Sequence, residues 1–206
     1  MNGGSTGRRE FVKQTGRAVG GAALVWSAIG GYVAFRDANR SHPGFRGRLG
    51  LLRPPGAGNE DDFLSKCIRC TRCSDACEAQ CIELFGPEAG DLQGTPYIVA
   101  EDKACTLCLE CGNACPTDAL GVLEEKRAVR MGVAVVDERL CVSHNGTGVC
   151  GACHTACPLK NVAITQDFRN QPIVHSDKCV GCGLCEEACI VRDRKAIQVF
   201  TDRVRT

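Results

Sequence analysis

Seventeen cysteines determine the chemistry that is open to this chain of 206 residues. All of them lie between Cys67 and Cys189, and the first 66 residues contain none. A thiolate is a nucleophile and a ligand for soft metals, so this density indicates a scaffold that is held by disulfides or by metal centres. It excludes intrinsic disorder and a purely apolar core for the middle of the chain.

The cysteines form four groups that repeat one spacing. Groups one, two and four follow C-x2-C-x2-C-x3-C, whereas group three keeps the last three positions after a longer first gap. In order, the groups are Cys67, Cys70, Cys73 and Cys77; Cys105, Cys108, Cys111 and Cys115; Cys141, Cys150, Cys153 and Cys157; and Cys179, Cys182, Cys185 and Cys189. Proline follows the last cysteine of groups two and three, which suits the first turn of a helix.

This spacing is typical of [4Fe–4S] clusters. Three cysteines at i, i+3 and i+6 wrap one face of a cluster, and the fourth starts a helix and ligates the other cluster of a pair, as in bacterial two-cluster ferredoxins. The sequence therefore predicts four [4Fe–4S] clusters. Their ligands are Cys67, Cys70, Cys73 and Cys115 (cluster 1); Cys105, Cys108, Cys111 and Cys77 (cluster 2); Cys141, Cys150, Cys153 and Cys189 (cluster 3); and Cys179, Cys182, Cys185 and Cys157 (cluster 4). Gly181 and Gly183 would let backbone N–H groups approach the sulfurs.

Two other uses of these cysteines fit the pattern less well. Structural zinc also uses C-x2-C knuckles, but two knuckles make one site and leave the other cysteines without a role. A disulfide framework would leave one cysteine over and would crowd the C-x2-C-x2-C loops. His144 and His154 lie within group three, where no cysteine is missing, so we expect them near the cluster or in the loop. Cys81 stands outside the groups and is interpreted as a structural thiol.

Short strands and helices must hold the cysteine loops. The stretches 133–136, 162–165, 172–174 and 196–200 are β-like, and a short helix is predicted to begin at Glu60 and lead into the first group. We therefore expect an α+β fold of two tandem ferredoxin-like modules, residues 60–128 and 129–206. Each module would bind two [4Fe–4S] clusters, which supply the cross-links that so small a core lacks.

The N-terminal residues are typical of an export signal. Arg8 and Arg9 are followed by an uncharged run of 18 residues from Ala18 to Phe35, and a charged start before an apolar run marks such a signal. The paired arginines resemble the twin-arginine type, which exports proteins with their cofactors inserted. We expect residues 1–35 to be a signal that is either removed or kept as a membrane anchor. Residues 36–59 are predicted to be a basic linker, which is either solvated or held near anionic lipid.

Several stretches, in addition to the cysteine spacing itself, make a more specific match to a known family. They are 53–57 (RPPGA), 94–97 (GTPY), 131–135 (MGVAV), 174–177 (VHSD) and 179–183 (CVGCG). From the paired arginines to about Phe200, the chain resembles the ferredoxin-type MauM/NapG family. The resemblance implies a periplasmic electron carrier that works with a quinol-oxidising membrane partner of the NapH type. Its redox acceptor would be a periplasmic oxidoreductase of nitrate reduction or of methylamine utilisation.

The branch of this family stays open at the level of sequence. Group two is compact, while NapG proteins tend to have a longer gap there. Glu78 and Ile190 follow the last cysteines of groups one and four, and proline is commoner at the first of these positions. None of these departures removes a ligand.

Relay of single electrons is the function that these features favour. It requires no substrate pocket and no general acid or base, and the sequence contains no nucleotide-binding glycine loop and no nucleophile elbow. We therefore expect no catalytic residue. A net charge of +1 gives no case for nucleic-acid binding. The alternatives are an electron-transfer subunit of a molybdenum-type or nitrite reductase complex, which would usually travel on a partner's signal, and a non-catalytic redox sensor.

Overall fold

A computed structural model of the chain describes Gly31, residues 52–192 and residues 194–201. The chain divides into two compact units, Met1–Gly47 and Arg48–Thr206, and all the cysteines belong to the second unit. The predicted signal, with Arg8 and Arg9, and most of the predicted linker lie outside the described residues. None of the helices among the described residues has the length and hydrophobicity of a membrane span.

Short helices accompany the cysteine loops. The α-helices of the described ranges are α1 (Glu60–Lys66), α2 (Arg72–Asp75), α3 (Glu110–Asn113), α4 (Ala152–Ala156) and α5 (Leu184–Glu187), with 3₁₀ segments at Pro87–Leu92 and Lys126–Ala128. The helix predicted to begin at Glu60 is confirmed as α1. Asn59 caps it, because its side-chain oxygen accepts a hydrogen bond of 2.8 Å from the backbone N–H of Asp62.

The fourth cysteine of each group does not start a helix, so that prediction was wrong. Helices α2 to α5 each contain the third cysteine of a group, and the fourth cysteine follows at the helix C-terminus. The spacing explains this arrangement, because three intervening residues make about one helical turn. Pro116 and Pro158 thus stand just beyond α3 and α4, where proline prevents the helix from continuing.

Three antiparallel pairs of strands complete the described fold. They are β1 (Ile82–Leu84) with β2 (Pro96–Ile98), β3 (Val133–Val136) with β6 (Ile197–Phe200), and β4 (Ile164–Gln166) with β5 (Pro172–Val174). The predicted strands at 133–136 and 172–174 are confirmed, and the one at 196–200 begins one residue later. The strand predicted at 162–165 begins at Ile164, because the N–H groups of Val162 and Ala163 both donate to the Leu159 carbonyl and form a turn.

The fold is a mixture of short helices and strands, as the predicted α+β class requires. Residues 60–128 (the first half) contain groups one and two, and residues 129–206 (the second half) contain groups three and four. A two-stranded sheet is at best marginally stable in water by itself. The sheets instead pack on a core that includes Phe63, Leu107 and Met131, together with eight buried cysteines.

The described end of the predicted linker is buried. Leu52 to Pro55 lie in the core, and Arg53 has no exposed surface. Its guanidinium forms an ion pair with Glu60, donates to the Pro96 carbonyl at 2.6 Å and lies 4.6 Å from the centre of the Phe63 ring. A charge that is removed from water needs such partners, so this part of the stretch is a fixed element of the fold and not a solvated connector.

Candidate metal centres

One cavity of the second half is lined by cysteines from two groups. Cys179, Cys182 and Cys185 of group four and Cys157 of group three line a cavity of about 400 Å³. The remaining lining is largely apolar and includes Val199 from β6. These four residues are the ligand set predicted for cluster 4, and the space is here called site 4.

Two further cavities are lined by cysteines in the same way. Three cysteines of one group and the last cysteine of another line a space of about 370 Å³ in each case. Site 1 contains Cys67, Cys70, Cys73 and Cys115, and site 3 contains Cys141, Cys150, Cys153 and Cys189. Both sets coincide with predicted ligand sets, so the last cysteines of groups two, three and four lie beside the triads of their partner groups.

The fourth predicted set, site 2, is described by the contacts of its cysteines. It consists of Cys77, Cys105, Cys108 and Cys111, of which Cys108 alone is exposed. Cys81 lies among them, because its Sγ is 3.6 Å from the Sγ of Cys77 and its thiol also forms a hydrogen bond with Cys105. The structure therefore adds Cys81, which is 3% exposed, to this neighbourhood.

The loops of groups one, two and four share one backbone conformation. In each of them, the residues directly before and after the second cysteine have a positive φ. The φ angles are 59° at Arg69, 65° at Thr71, 60° at Leu107, 69° at Leu109, 73° at Gly181 and 86° at Gly183. Only glycine takes this conformation without a steric cost. The sequence repeat is thus also a repeat of backbone geometry, and four of its six positions carry side chains.

Burial raises the pKa of several of the buried cysteines. It raises the pKa of Cys73 and Cys153 to about 11 and that of Cys182 to about 12. For Cys111, burial followed by charges on Cys105, Cys108 and Cys73 raises the pKa to about 12. Thiolates at these positions need positive charge beside them at neutral pH, and iron supplies it.

Cys105 is an exception among the buried cysteines. The hydrogen bond from the Cys81 thiol lowers the pKa of Cys105 to about 7, although burial opposes this shift. The pKa of Cys81 rises well above its ordinary value, first through the same hydrogen bond and then through burial. Cys81 is thus a neutral donor beside the thiolate of Cys105.

Backbone N–H groups approach several of the cysteine sulfurs. Leu107 and Leu120 donate at 3.4 Å to Cys105 and Cys115, and Ala134 donates at 3.5 Å to Cys179. Such hydrogen bonds stabilise thiolates and adjust the reduction potential of a cluster. Sequence analysis had pointed to Gly181 and Gly183 for close backbone approach. A Cβ at these glycines would meet Gly132 and Ala100, respectively, so both positions require glycine.

The two histidines of group three bond to groups other than cysteine. The Nε2 atom of His144 is 3.3 Å from the Pro172 carbonyl oxygen, and that of His154 is 2.8 Å from Oδ1 of Asn161. Both residues thus hold loops together, which agrees with their interpretation from the sequence.

The donor sets fit iron–sulfur clusters. In the described part of the chain, no three cysteine, histidine or acidic side chains lie close enough to share a single metal ion. The cysteines instead surround cavities of several hundred cubic ångströms, each with four sulfur donors. Thiolates are the ligands that hold [4Fe–4S] clusters.

Sequence reasoning missed two kinds of residue around the sites. Leu120 and Ala134 donate through their backbones, and no side-chain signal marks such a role. Cys81 had a usable signal, since it follows Cys77 by four residues, but its contacts with two other cysteines depend on the tertiary fold.

Comparison with known families identifies two iron–sulfur regions. Residues 66–119 match the 4Fe-4S dicluster domain, and residues 172–192 match the 4Fe-4S binding domain. The first match covers groups one and two, and the second covers group four. [4Fe–4S] clusters are therefore the cofactors of this chain.

Comparison with curated proteins gives similarities over nearly the whole chain. The ferredoxin-type protein NapG of Escherichia coli is 37% identical over 94% of this chain and 85% of its own length. The methylamine utilization ferredoxin-type protein MauM of Methylorubrum extorquens is 38% identical over 95% of this chain and 90% of its own length. The ferredoxin-type protein NapF of Escherichia coli is 30% identical over 68% of this chain and 80% of its own length. No solved structure matches significantly.

Proposed function

Because the chain belongs to the NapG/MauM family of ferredoxin-type iron–sulfur electron-transfer proteins, we propose that it relays single electrons through four [4Fe–4S] clusters. One observation carries this proposal: the last cysteine of a group lies beside the triad of its partner group at sites 1, 3 and 4. That exchange is what paired clusters require. Site 2 completes the set with Cys77, Cys105, Cys108 and Cys111.

The proposed carrier works between two redox partners in the periplasm. Electrons enter from a quinol-oxidising membrane protein of the NapH type and leave to a periplasmic oxidoreductase of nitrate reduction or methylamine utilisation. Support comes from relatives in both branches of the family, one of which is named for methylamine utilization. The chain itself needs no catalytic site for this task, since each step moves one electron and forms no covalent bond to a substrate.

Export by the twin-arginine route is part of the proposal. Its support is the pair Arg8 and Arg9 before an apolar run. Replacement of both arginines by lysine should leave the protein in the cytoplasm with its iron bound, and cell fractionation measures this. Periplasmic accumulation of that variant would contradict the route.

Iron and sulfide analysis tests the cluster count. Protein that is purified without oxygen should contain about sixteen irons and sixteen sulfides per chain, because each cluster holds four of each. After reduction, low-temperature EPR should show interacting spins, since the clusters lie close together. Zinc without visible absorbance would contradict the cofactor, and about eight irons would contradict the count.

Paired substitutions test how the cysteines are shared. If Cys115 and Cys67 hold one cluster, the double variant Cys67→Ala/Cys115→Ala should lose about four irons, no more than either single variant. The matched variant Cys105→Ala/Cys115→Ala removes ligands from two clusters and should lose about eight irons. A loss of about eight irons from Cys67→Ala/Cys115→Ala and of about four from Cys105→Ala/Cys115→Ala would mean that each group of four cysteines holds its own cluster.

A further inference from the structure

Groups two and four meet where the two halves of the protein join. The backbone N–H of Cys105 donates to the Cys182 carbonyl at 3.0 Å. One residue earlier, the N–H of Ala104 donates at 2.9 Å to the Oε2 atom of Glu187 on α5. The predicted ligand loops of sites 2 and 4 are thus joined by direct hydrogen bonds between the halves.

Within each half, the two sites adjoin through packed helices. Helix α2 packs on α3, and α4 packs on α5. Cys73 lies on α2 and Cys111 on α3. In the second half, Cys153 lies on α4 and Cys185 on α5. Sites 1 and 2 are therefore neighbours, as are sites 3 and 4.

We infer that electrons cross between the halves at the contact between Cys105 and Cys182, so that the four sites act in the order 1, 2, 4, 3. This inference rests on the proposed function. Each transfer oxidises one reduced cluster by one electron and reduces its neighbour by the same electron, and no proton moves. The order differs from that of the groups along the chain.

The burial of the cysteines agrees with an internal position for site 4. Cys182 and Cys185 of site 4 are buried, as an internal step requires, whereas Cys70 of site 1 and Cys108 of site 2 are exposed. Site 1 is therefore open to an external redox partner. Site 3 forms the other end, and three of its cysteines are half-buried.

Gly183 and Glu187 are the positioning residues of this crossing. Gly183 has a φ of 86°, and a Cβ there would lie 2.3 Å from the Cβ of Ala100 and 3.5 Å from that of Ala104. Only glycine lets the group-four loop approach the segment before Cys105 so closely. Gly181, at the equivalent position before Cys182, approaches Gly132 of its own half instead.

The variant Glu187→Ala tests the crossing, with Asp75→Ala as its control. Both residues are exposed carboxylates two positions after the third cysteine of their group, but Asp75 accepts a hydrogen bond only from Thr71 of its own loop in the described contacts. In the iron-loaded protein, Glu187→Ala should speed hydrogen exchange at the Ala104 and Cys105 amides about ten-fold. Freeze-quench EPR after addition of substoichiometric dithionite should then show slower electron transfer between the two pairs of clusters. Asp75→Ala should match the wild type in both measurements.

A steric pair gives a second, independent test. Gly183→Ala should separate the loops and remove the spin interaction between the two pairs of clusters, while Ala100→Gly in the same protein should restore part of it by relieving the contact. If hydrogen exchange at the Ala104 and Cys105 amides becomes faster but electron transfer between the two pairs of clusters is unchanged, the crossing lies elsewhere and the inference is overturned. Unchanged hydrogen exchange in both Glu187→Ala and Gly183→Ala would also overturn it. Wild-type protein with fewer than about sixteen irons would count against the proposed function instead.

Discussion

Cys81 shows how a cysteine can belong to an iron–sulfur neighbourhood without being counted as a ligand. Its Sγ is 3.6 Å from that of Cys77, and its thiol forms a hydrogen bond with Cys105. This hydrogen bond and then burial keep the thiol neutral, because both raise its pKa. A neutral thiol donates to a thiolate and does not replace it.

Substitution of Cys81 should therefore leave the iron content unchanged. Cys81→Ala should retain about sixteen irons, whereas Cys77→Ala should lose about four. The lost hydrogen bond should lower the free energy of unfolding by about 1 kcal/mol. Iron analysis and visible absorbance measure the difference, and a loss of about four irons from Cys81→Ala would make Cys81 a ligand.

Arg53 carries a second prediction at the scale of single residues. It is fully buried against Glu60, Thr95 and Phe63. Arg53→Ala should destabilise the protein by about 3–5 kcal/mol, because the Glu60 carboxylate would remain buried without its partner. Heating while following cluster absorbance measures the loss of stability.

The control for Arg53 removes both charges together. Arg53→Met/Glu60→Leu replaces the pair by apolar side chains of similar size and should lose less stability than Arg53→Ala. Equal losses in the two proteins would mean that packing of the arginine side chain, and not the charge left on Glu60, causes the effect.

The elements that hold the clusters are loops with a shared conformation. Thr71 and Leu109 occupy the left-handed position that glycine occupies at Gly183. The left-handed conformation costs a side-chain-bearing residue roughly 1–2 kcal/mol. The first half therefore maintains strained loops, which the surrounding core and the bound clusters must compensate.

Relief of this strain is measurable at Thr71. Thr71→Gly should stabilise the iron-loaded protein by up to about 1 kcal/mol, because Thr71 has a φ of 65° and is exposed. The control is Thr106→Gly, because Thr106 is exposed in a loop and is not among the residues with a positive φ. This variant should destabilise the protein by about 0.4–1 kcal/mol. Loss of cluster absorbance on heating reports both. A less stable Thr71→Gly would show that the backbone is not strained there.

How well a strand could be predicted from the sequence depends on its length and burial. The runs that became β3 and β5 had enough β-branched residues to be found. Strands β1 and β2 have three residues each and contain Glu83 and Pro96, so no periodic signal marks them. The spacing between the third and fourth cysteines is about one helical turn, but it does not by itself say whether the helix precedes or follows the fourth cysteine.

The arrangement of the candidate site was more predictable than the fold. Sites 1, 3 and 4 are lined by the cysteine sets that the sequence predicted, because each group supplies three thiols to one site and its fourth thiol to another. The burial of Arg53 was not predictable in this way. A basic residue before two prolines looks solvated until Glu60 and the Pro96 carbonyl are brought to it by the fold.

At the scale of the whole molecule, the clusters dominate the charge. The formal net charge of the chain is +1, and four clusters of about −2 each would bring it to about −7. The iron-loaded protein should therefore focus far below the sequence isoelectric point of about 7.4. Native isoelectric focusing of loaded and chelated protein measures the shift, and equal positions of the two forms would contradict four charged clusters. An acidic carrier suits a basic docking face on its partner.

The pairing of β3 with β6 imposes an order on synthesis. Val133 lies opposite Phe200, and all eight cysteines of groups three and four lie between these two residues in the chain. The ribosome therefore makes β3 before these thiols and makes its partner β6 after them. Until Phe200 emerges, β3 has no partner strand, so the second half cannot close its sheet before the last thiol of group four has been made.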